Sequence, residues 1–556
     1  MTSPFAYRVG FLGCPSVPDV AWSMDNLRTL VEMGFNTIQL NIAWGARPAD
    51  EPLNLEDVVD GIGLLPEHRQ SLPLLSDTDP KRVAQRRADL RGRIALCREA
   101  GLRTVFHFGA PYNMHARFGD TPPNCLLDPA VSEMYAAMLG AFAEQFPGVD
   151  DILVYTYDQD AWLCSEFGEC PRCRGVPLDQ RVSAFVNLLG RTWQTLSPQG
   201  RLWWEPWELS AGQVLRTVEQ LDPSCVGLSL HSNIAEVMVT MPVDRWLKNT
   251  VTLAKRVGLP VWVEHFLGGP TEEVEPFTHL PWPLVTWRGV QAIASLDVDG
   301  IKEYYGLVPT REDPNLRTTA LFLEDPNRSE LEALETLAQP YGKSKDGVMQ
   351  FWKVTSEAME LFPWYTSWFI REIGKADPSH SMSAAFIRGQ QAHTPSWESS
   401  RRAIFMKTDN LEPDPWLLED VQLQCELAAD RMQEALGLSE TFRDDVPRSL
   451  REDFDLTLRD LAAWRQRTLS YAHHLRETNL TAIMRHCYAT DQAVPAHLVK
   501  ELRNVLLADM SNQGGHVSIA EALRLLDTDP REFAATFFLP GGPDEISRGH
   551  FSVTSR

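Results

Sequence analysis

The chain has no long apolar run. Its first residues, MTSPFAYRVGFLGCPSVPDV, hold only a short apolar stretch around Val9 to Leu12 with no basic segment before it, which reads as neither an export signal nor a membrane span. Positive charge is also scarce: 52 Lys and Arg stand against 75 Asp and Glu, a net charge of -23 over 556 residues. Phosphate-backbone affinity rests on clustered cations, so nucleic acid is excluded as an expected partner, and no membrane partner is expected either. Cysteine is sparse and odd in number, nine residues with one local cluster, unlike the framework of a secreted disulfide protein. The expectation is a reduced, cytoplasmic protein. Also missing are a G-x-S-x-G nucleophile elbow, a G-x-x-x-x-G-K-[ST] phosphate loop, internal repeats and low-complexity tracts.

What is present is the composition of an ordinary globular protein, 44% hydrophobic and 23% charged, in a chain too long for one core. Eight short apolar runs punctuate the first three hundred residues. They are RVGFLG (8 to 13), FNTIQLNIAW (35 to 44), LRTVFHFGAP (102 to 111), DILVYTYD (151 to 158), RLWWEPW (201 to 207), CVGLSLHS (225 to 232), LPVWVEHF (259 to 266) and GIKEYYGL (300 to 307). Between them lie stretches of helical period such as KRVAQRRADLRGRIALCREAG, several ending in Gly followed by an apolar residue, as in MGFNTI, AGLRTV and VGLPVW. Strands alternating with helices imply right-handed crossovers and a parallel sheet. Eight such units predict an α/β fold, a (β/α)8 TIM barrel over residues 1–310. The loop from Gly45 to about Asp79 carries little helical signal and is expected to wall the cleft on the catalytic face.

After residue 310 the stretch TREDPNLRTTALFLEDPNRSE reads as polar and turn-rich, and from Glu330 onward the period is helical throughout. Residues 311–556 are therefore expected to form an all-α C-terminal domain, a candidate contact for a homo-oligomer.

Barrel chemistry stands at the C-terminal ends of strands. The third run there offers His107, the fourth Asp158 and Asp160, the fifth Glu205 and the sixth His231. The seventh offers Glu264 and His265, and the eighth Glu303 with Tyr304. Trp162, Trp204 and Trp207 lie close by, among tryptophans of which at least half are expected in the core. Paired carboxylates are what glycosidic cleavage needs, one to protonate the leaving oxygen and one to attack or activate water; aromatic faces stack on sugar rings. Asp158 and Asp160 are two apart and share a strand face, so each raises the other's pKa and leaves one able to act as an acid. Asp160 is assigned that role with Asp158 as its partner. Glu264, expected across the mouth from the fourth strand, is the leading nucleophile or base, with Glu205 close behind. His107, Trp162, Trp204, Trp207, His231, His265, Glu303 and Tyr304 are the expected substrate contacts.

Cys164, Cys170 and Cys173 follow with spacing C-x5-C-x2-C, ending in CPRC like a zinc knuckle. Three thiols are one short of a structural zinc site, so the fourth ligand would be Cys125, Cys14 or a histidine. Reduced loop cysteines or a local disulfide are the alternatives.

The segment YDQDAWLCSEFGECPRC, with ELFPWYTSWF at 360 to 369, resembles glycoside hydrolase-like barrels related to beta-hexosaminidases and bacterial alpha-glucuronidases. The resemblance implies hydrolysis of a glycosidic bond of an oligosaccharide or glycoside, with no cofactor required for catalysis, in a pocket at the barrel mouth. Beta-hexosaminidases carry an Asp-Glu pair after the fourth strand and use the substrate's acetamido group as nucleophile. Here the turn is Asp158, Gln159, Asp160, a departure that counts against that mechanism and against an N-acetylhexosamine substrate. Two other readings stay open: a metal-dependent barrel isomerase or hydrolase with His107, His231, Glu264 and His265 as ligands, and a non-catalytic carbohydrate-binding barrel. The first run holds no HxH pair, which weakens the metal-dependent reading.

Overall fold

Eight strands follow one another around a closed ring. β1 (Tyr7–Phe11), β2 (Thr37–Gln39), β3 (Arg103–Gly109), β4 (Asp151–Thr156), β5 (Leu202–Pro206), β6 (Val226–His231), β7 (Val261–His265) and β8 (Gly300–Glu303) pair in sequence order. All neighbours are parallel, and β8 closes on β1 with Val9 beside Lys302. The computed structural model describes residues 3–14, 17–41, 51, 54–59, 79–112, 124–156, 161, 163–164, 170–206, 209, 211–231, 243, 245–271, 274–310, 312–364, 415–489, 496, 499–500, 503, 524 and 526–528, with the backbone alone at 211, 245, 415–419 and 473–489.

The helices are α1 (Met24–Glu32) after β1, then α2 (Leu55–Val58) and α3 (Pro80–Ala100) after β2. α4 (Pro129–Gln145), α5 (Leu178–Leu196), α6 (Ala211–Val218), α7 (Arg245–Val257), α8 (Pro283–Ala294) and α9 (Pro314–Glu324) follow the next six strands in turn. The fold is a (β/α)8 barrel. Helix boundaries are set by local chemistry. α3, α4 and α9 each begin with proline just after an aspartate (Asp79, Asp128, Asp313) whose side chain accepts a first-turn N–H. The Gly-apolar pairs at the other ends behave as the sequence predicts. Gly34, Gly101 and Gly258 take positive φ (92°, 74° and 82°), and the N–H of Phe35, Leu102 and Leu259 reaches back to the carbonyls of Leu30, Cys97 and Ala254 at 2.9–3.0 Å.

Two expectations need correction. The loop after β2 contains a helical turn, α2, which is wholly buried and tied to the end of β3: Asn54 Oδ1 accepts from the Gly109 N–H at 3.0 Å. The turn-rich reading of 310 to 330 also fails, because α9 is the helix that follows the eighth strand. Its polar residues face inward and bind backbone. Asn315 joins Trp282 N and Leu280 O at 2.8 Å each, and Thr319 donates to Leu267 O at 2.8 Å.

Inside the ring, alternate residues of each strand point to the axis. At the N-terminal half they form a dry plug of Val9, Val105, Leu153, Trp203 and Trp262, with Tyr7 against it. The two indoles stack at 3.7 Å and 14°, and Tyr7 meets both edge-on at 5.1 and 5.9 Å. Gly227 and Gly300 make the room. A Cβ on Gly227 would lie 2.6 Å from the Trp203 ring, and one on Gly300 would lie 2.7 Å from Tyr7 Cβ.

The chain divides into two compact units, the first running to Met349 and including Val446–Phe454, the second comprising the other described residues from Gln350 on. α10 (Glu330–Ala338) belongs to the first and α11 (Lys345–Leu361) leads into the second, which also holds α12 (Pro415–Ser439) and most of α13 (Arg448–Ala489). The second unit is helical, with a core in which Phe362 packs on Trp364 at 4.7 Å and on Trp464 at 5.2 Å. Trp364 lies in the segment 360–369; residues 365–369 are outside the described residues. No described helix is long and apolar enough to cross a membrane.

Candidate active site

One pleat above the plug the same inward rows change character. Two residues after Val105 comes His107, two after Trp203 comes Glu205, and two after Trp262 comes Glu264. Ser229 and His231 follow Gly227, and Lys302 follows Gly300. The strands thus deliver charged and polar groups to one interior layer at their C-terminal ends, where barrel chemistry belongs.

Glu264 is engaged on both oxygens. Ser229 Oγ donates to its Oε1 at 2.5 Å and Lys302 Nζ lies 3.0 Å from its Oε2. The serine is itself oriented from below: Trp262 Nε1 donates to Ser229 Oγ. An indole nitrogen can only donate, so the serine oxygen must accept there and its own proton is left for the carboxylate. The aromatic plug therefore aims a hydrogen bond at Glu264. On another side of the layer, His107 Nε2 lies 2.8 Å from Glu205 Oε2, and the imidazole meets Tyr155 edge-on at 5.4 Å. His107 is fixed through its backbone, which exchanges two hydrogen bonds with the Asn41 side chain at 2.7 and 3.0 Å.

These carboxylates are 1% exposed. Burial pushes the pKa of Glu264 up, and the charge of Glu205 raises it further, while Lys302 and the Ser229 hydrogen bond pull it down. The two carboxylates thus sit within electrostatic reach of each other, each with a different partner. His231 stands beside Glu264 in the strand register and meets Tyr304 edge-on at 6.2 Å, with Phe266 on the far side of Tyr304 at 5.5 Å.

Of the residues singled out from the sequence, the structure brings His107, Glu205, His231, Glu264 and Tyr304 to the interior layer. Three others point away from it. Trp204 is fully buried among the residues between strands and helices, donating to Thr156 Oγ1 at 2.9 Å. His265 lies against α8, where a Cβ on Gly289 would come 2.4 Å from its Nε2; burial pushes its pKa down to about 3, so the ring is neutral. Glu303 braces the backbone, accepting from the N–H groups of Leu267, Tyr305 and Gly306 at 2.7–2.9 Å, and burial pushes its pKa up to about 8 against those bonds. Each neighbours an inward residue, and adjacent residues of a strand face opposite ways. Asp158, Asp160, Trp162 and Trp207 lie outside the described residues. The expected facing of the fourth and seventh strands is also corrected: in this ring of eight, β7 stands opposite β3 and its His107.

Sequence reasoning missed Lys302 and Ser229. Alternation was the available signal, since each lies two residues from a glycine that an indole or a tyrosine needs on the same face. The alternative metal-ligand set of His107, His231, Glu264 and His265 is not assembled, because His265 is on the other side of the sheet. Among the described residues, the group that could hold a metal is Cys125, Cys164, Cys170 and Cys173. The fourth thiol is Cys125; Cys14 pairs through its backbone with Val17 elsewhere.

No protein-family model and no curated protein matches the chain. Among solved structures it is similar to a GH138 enzyme targeting pectin rhamnogalacturonan II, at 11% identity and a TM-score of 0.57 over 95% of this chain and 63% of that one. The chain thus spans less than two thirds of that enzyme's length. It is also similar to the Thermobaculum terrenum O-GlcNAc hydrolase (11%, TM-score 0.42, 96% and 95% of the two chains). A third is a GH20 exo beta-N-acetylglucosaminidase from Vibrio harveyi (13%, TM-score 0.34, 64% and 59%). At 11% identity the likeness to the first of these bears on the fold alone.

Proposed function

We propose that the protein is a glycoside hydrolase acting on an oligosaccharide or glycoside, with Glu264 and Glu205 as its catalytic carboxylates. The observation that carries this reading is the pair itself: two buried carboxylates at inward positions of β5 and β7, in electrostatic contact yet differently partnered. Lys302 and Ser229 favour the ionised form of Glu264, which suits a nucleophile or base. Glu205, with His107 Nε2 2.8 Å from its Oε2, is the carboxyl placed to serve as the acid toward the leaving oxygen. Two carboxyl groups, one as acid and one as nucleophile or base, are what an oxocarbenium-like transition state needs. Asp160, with Asp158 beside it, follows β4 in sequence and is the competing proton donor. His107, His231 and Tyr304 would contact the sugar, and no redox cofactor is called for.

The test is release of nitrophenol from a panel of alpha- and beta-aryl glycosides, including glucuronides and N-acetylhexosaminides, with three variants beside the wild type. Glu264→Gln is expected to lower kcat/KM by at least about 10³-fold on whichever member is cleaved. Between Glu205→Gln and Asp160→Asn, the true acid loses about 10²–10⁴-fold on a poor leaving group but keeps most activity on a dinitrophenyl glycoside. Wild-type turnover that Glu264→Gln leaves intact would overturn the assignment. A wild type that binds oligosaccharide without cleaving it would favour the binding-module reading.

A further inference from the structure

Cys125, Cys164, Cys170 and Cys173 come from separate parts of the chain, yet their sulfur atoms all lie within 4.8 Å of one another, and none is in a disulfide. A zinc ion with four thiolates at about 2.3 Å holds its sulfurs about 3.8 Å apart. The cluster is thus close to the required tetrahedron before any ion draws it together. Three of the thiols are buried and Cys170 is partly so.

The surroundings are those of a metal-bound thiolate group. The backbone N–H groups of Arg172 and Cys173 hydrogen-bond to the sulfur of Cys170, the turn that a C-x2-C knuckle makes around its ion. Gly175, two residues after Cys173, takes φ 77°, and the N–H groups of Arg174 and Val176 return to the carbonyls of Cys170 and Cys173 at 3.0 and 2.9 Å. Arg172 reaches Asp128, the N-cap of α4, at 3.3 Å.

A second observation is independent of the thiols. Arg181, at the start of α5, is 1% exposed. It donates to the carbonyls of Cys164 and Val176 at 3.0 and 3.1 Å, but its Nη2 has no hydrogen-bond partner and no carboxylate pairs with it among the described residues. A buried guanidinium needs a counter-charge. Four thiolates around one divalent cation carry a net charge of about -2, and Arg181 lies in electrostatic range of Cys173.

We propose that Cys125, Cys164, Cys170 and Cys173 bind one structural zinc ion, with Arg181 as its buried counter-cation. The site would tie the segment ahead of α4 to the segment ahead of α5. With β4 ending at Thr156 and the ion held by Cys164, the stretch carrying Asp158 and Asp160 would be anchored at both of its ends. All four protein ligands leave no open position, so the ion is structural, and the inference stands whether or not the barrel hydrolyses glycosides.

The experiment is metal analysis of the purified full-length protein, with zinc release followed by a chromogenic chelator as the thiols are titrated by an organomercurial. About one zinc per chain is expected, released as four thiols react. Cobalt exchanged into the site is expected to show intense thiolate-to-cobalt charge-transfer bands and the d–d bands of a tetrahedral centre. Cys125→Ser is expected to weaken zinc retention at least about tenfold and reduce the charge-transfer intensity, whereas Cys97→Ser, in a buried position on α3, is expected to change neither. Cobalt spectra of the wild type decide the matter if Cys125→Ser fails to fold. Protein that neither carries nor takes up zinc or cobalt, a disulfide among the four residues, iron in place of zinc, or full zinc and an unaltered cobalt spectrum in Cys125→Ser would each overturn the proposal.

Discussion

The lower and upper halves of the barrel interior are built on the same strands, two residues apart, and are chemically opposite. Below lie Val105, Trp203, Trp262 and Gly300; above them lie His107, Glu205, Glu264 and Lys302. Apolar burial in the lower layer supplies stability and leaves nothing to react. The upper layer buries charge, which costs stability unless each group is partnered, and the partners found there make the groups chemically distinct. The two layers are joined by one hydrogen-bonded path, from Trp262 through Ser229 to Glu264. At Trp262 the packed floor is also a positioning device.

If the lower layer carries stability and the upper one chemistry, the largest effect should come from emptying the floor. Trp203→Ala deletes half of the stacked indole pair and is expected to cost about 3–5 kcal/mol of unfolding free energy, measured by denaturant titration. A loss below about 1 kcal/mol would mean that the plug is not the stabilising layer.

Lys302→Met crosses the boundary, because it leaves Glu264 buried without its cation. The expected cost is about 3 kcal/mol at pH 8. Its pH dependence follows from the sign of the shift. Removing Lys302 removes an influence that lowers the pKa of Glu264, so the carboxyl protonates at higher pH and the buried charge disappears. The stability deficit should therefore shrink as pH falls, and the acid limb of any kcat/KM profile should move to higher pH. A deficit that does not vary with pH would show that Lys302 contributes packing alone.

The same alternation explains how much was legible in the chain. The eight strands were, because each is a short apolar run and those after the first are entered from a Gly-terminated or turn-terminated helix. α9 was not. Its helical period is masked by Asn315, Thr318 and Thr319, which are buried to serve the backbone of a preceding loop, a partner that periodicity cannot reveal. Within the site, Glu205 and Glu264 were legible as strand-end acids. Trp204, His265 and Glu303 were grouped with the inward residues because residue type was weighed and parity was not. Lys302 and Ser229 escaped because neither type suggests glycosidase chemistry until its partner is seen. Cys125 stood as one of several options for a fourth thiol, since only the fold brings its loop to the knuckle.

His265 sharpens the contrast from outside the barrel. It is buried neutral, its pKa depressed to about 3 from 6.5 by burial. A base with a depressed folded pKa contributes stability that is present above its unfolded value and is lost as pH falls toward the folded one. The wild type should therefore lose about 4 kcal/mol between pH 6.5 and 3 that His265→Leu does not lose, read from melts across that window. Parallel acid limbs for the two proteins would remove His265 as the cause.

The smallest change tests the path that joins the layers. Ser229→Ala deletes one hydroxyl, taking from Glu264 a donor and from Trp262 an acceptor while leaving the plug packed. A hydrogen bond to a charged group is worth about 1.5–3 kcal/mol, but the space left can admit a water, so a loss of about 1 kcal/mol in stability is expected. The sharper reading is in the pH profile. Without that donor the anion of Glu264 is less favoured, so the acid limb should move to higher pH, in the same direction as for Lys302→Met and by less, because Lys302 ranks above Ser229 among the influences that lower this pKa. The order of those two displacements is what matters: a serine effect equal to the lysine effect would mean that the floor, rather than the cation, sets the charge of the site.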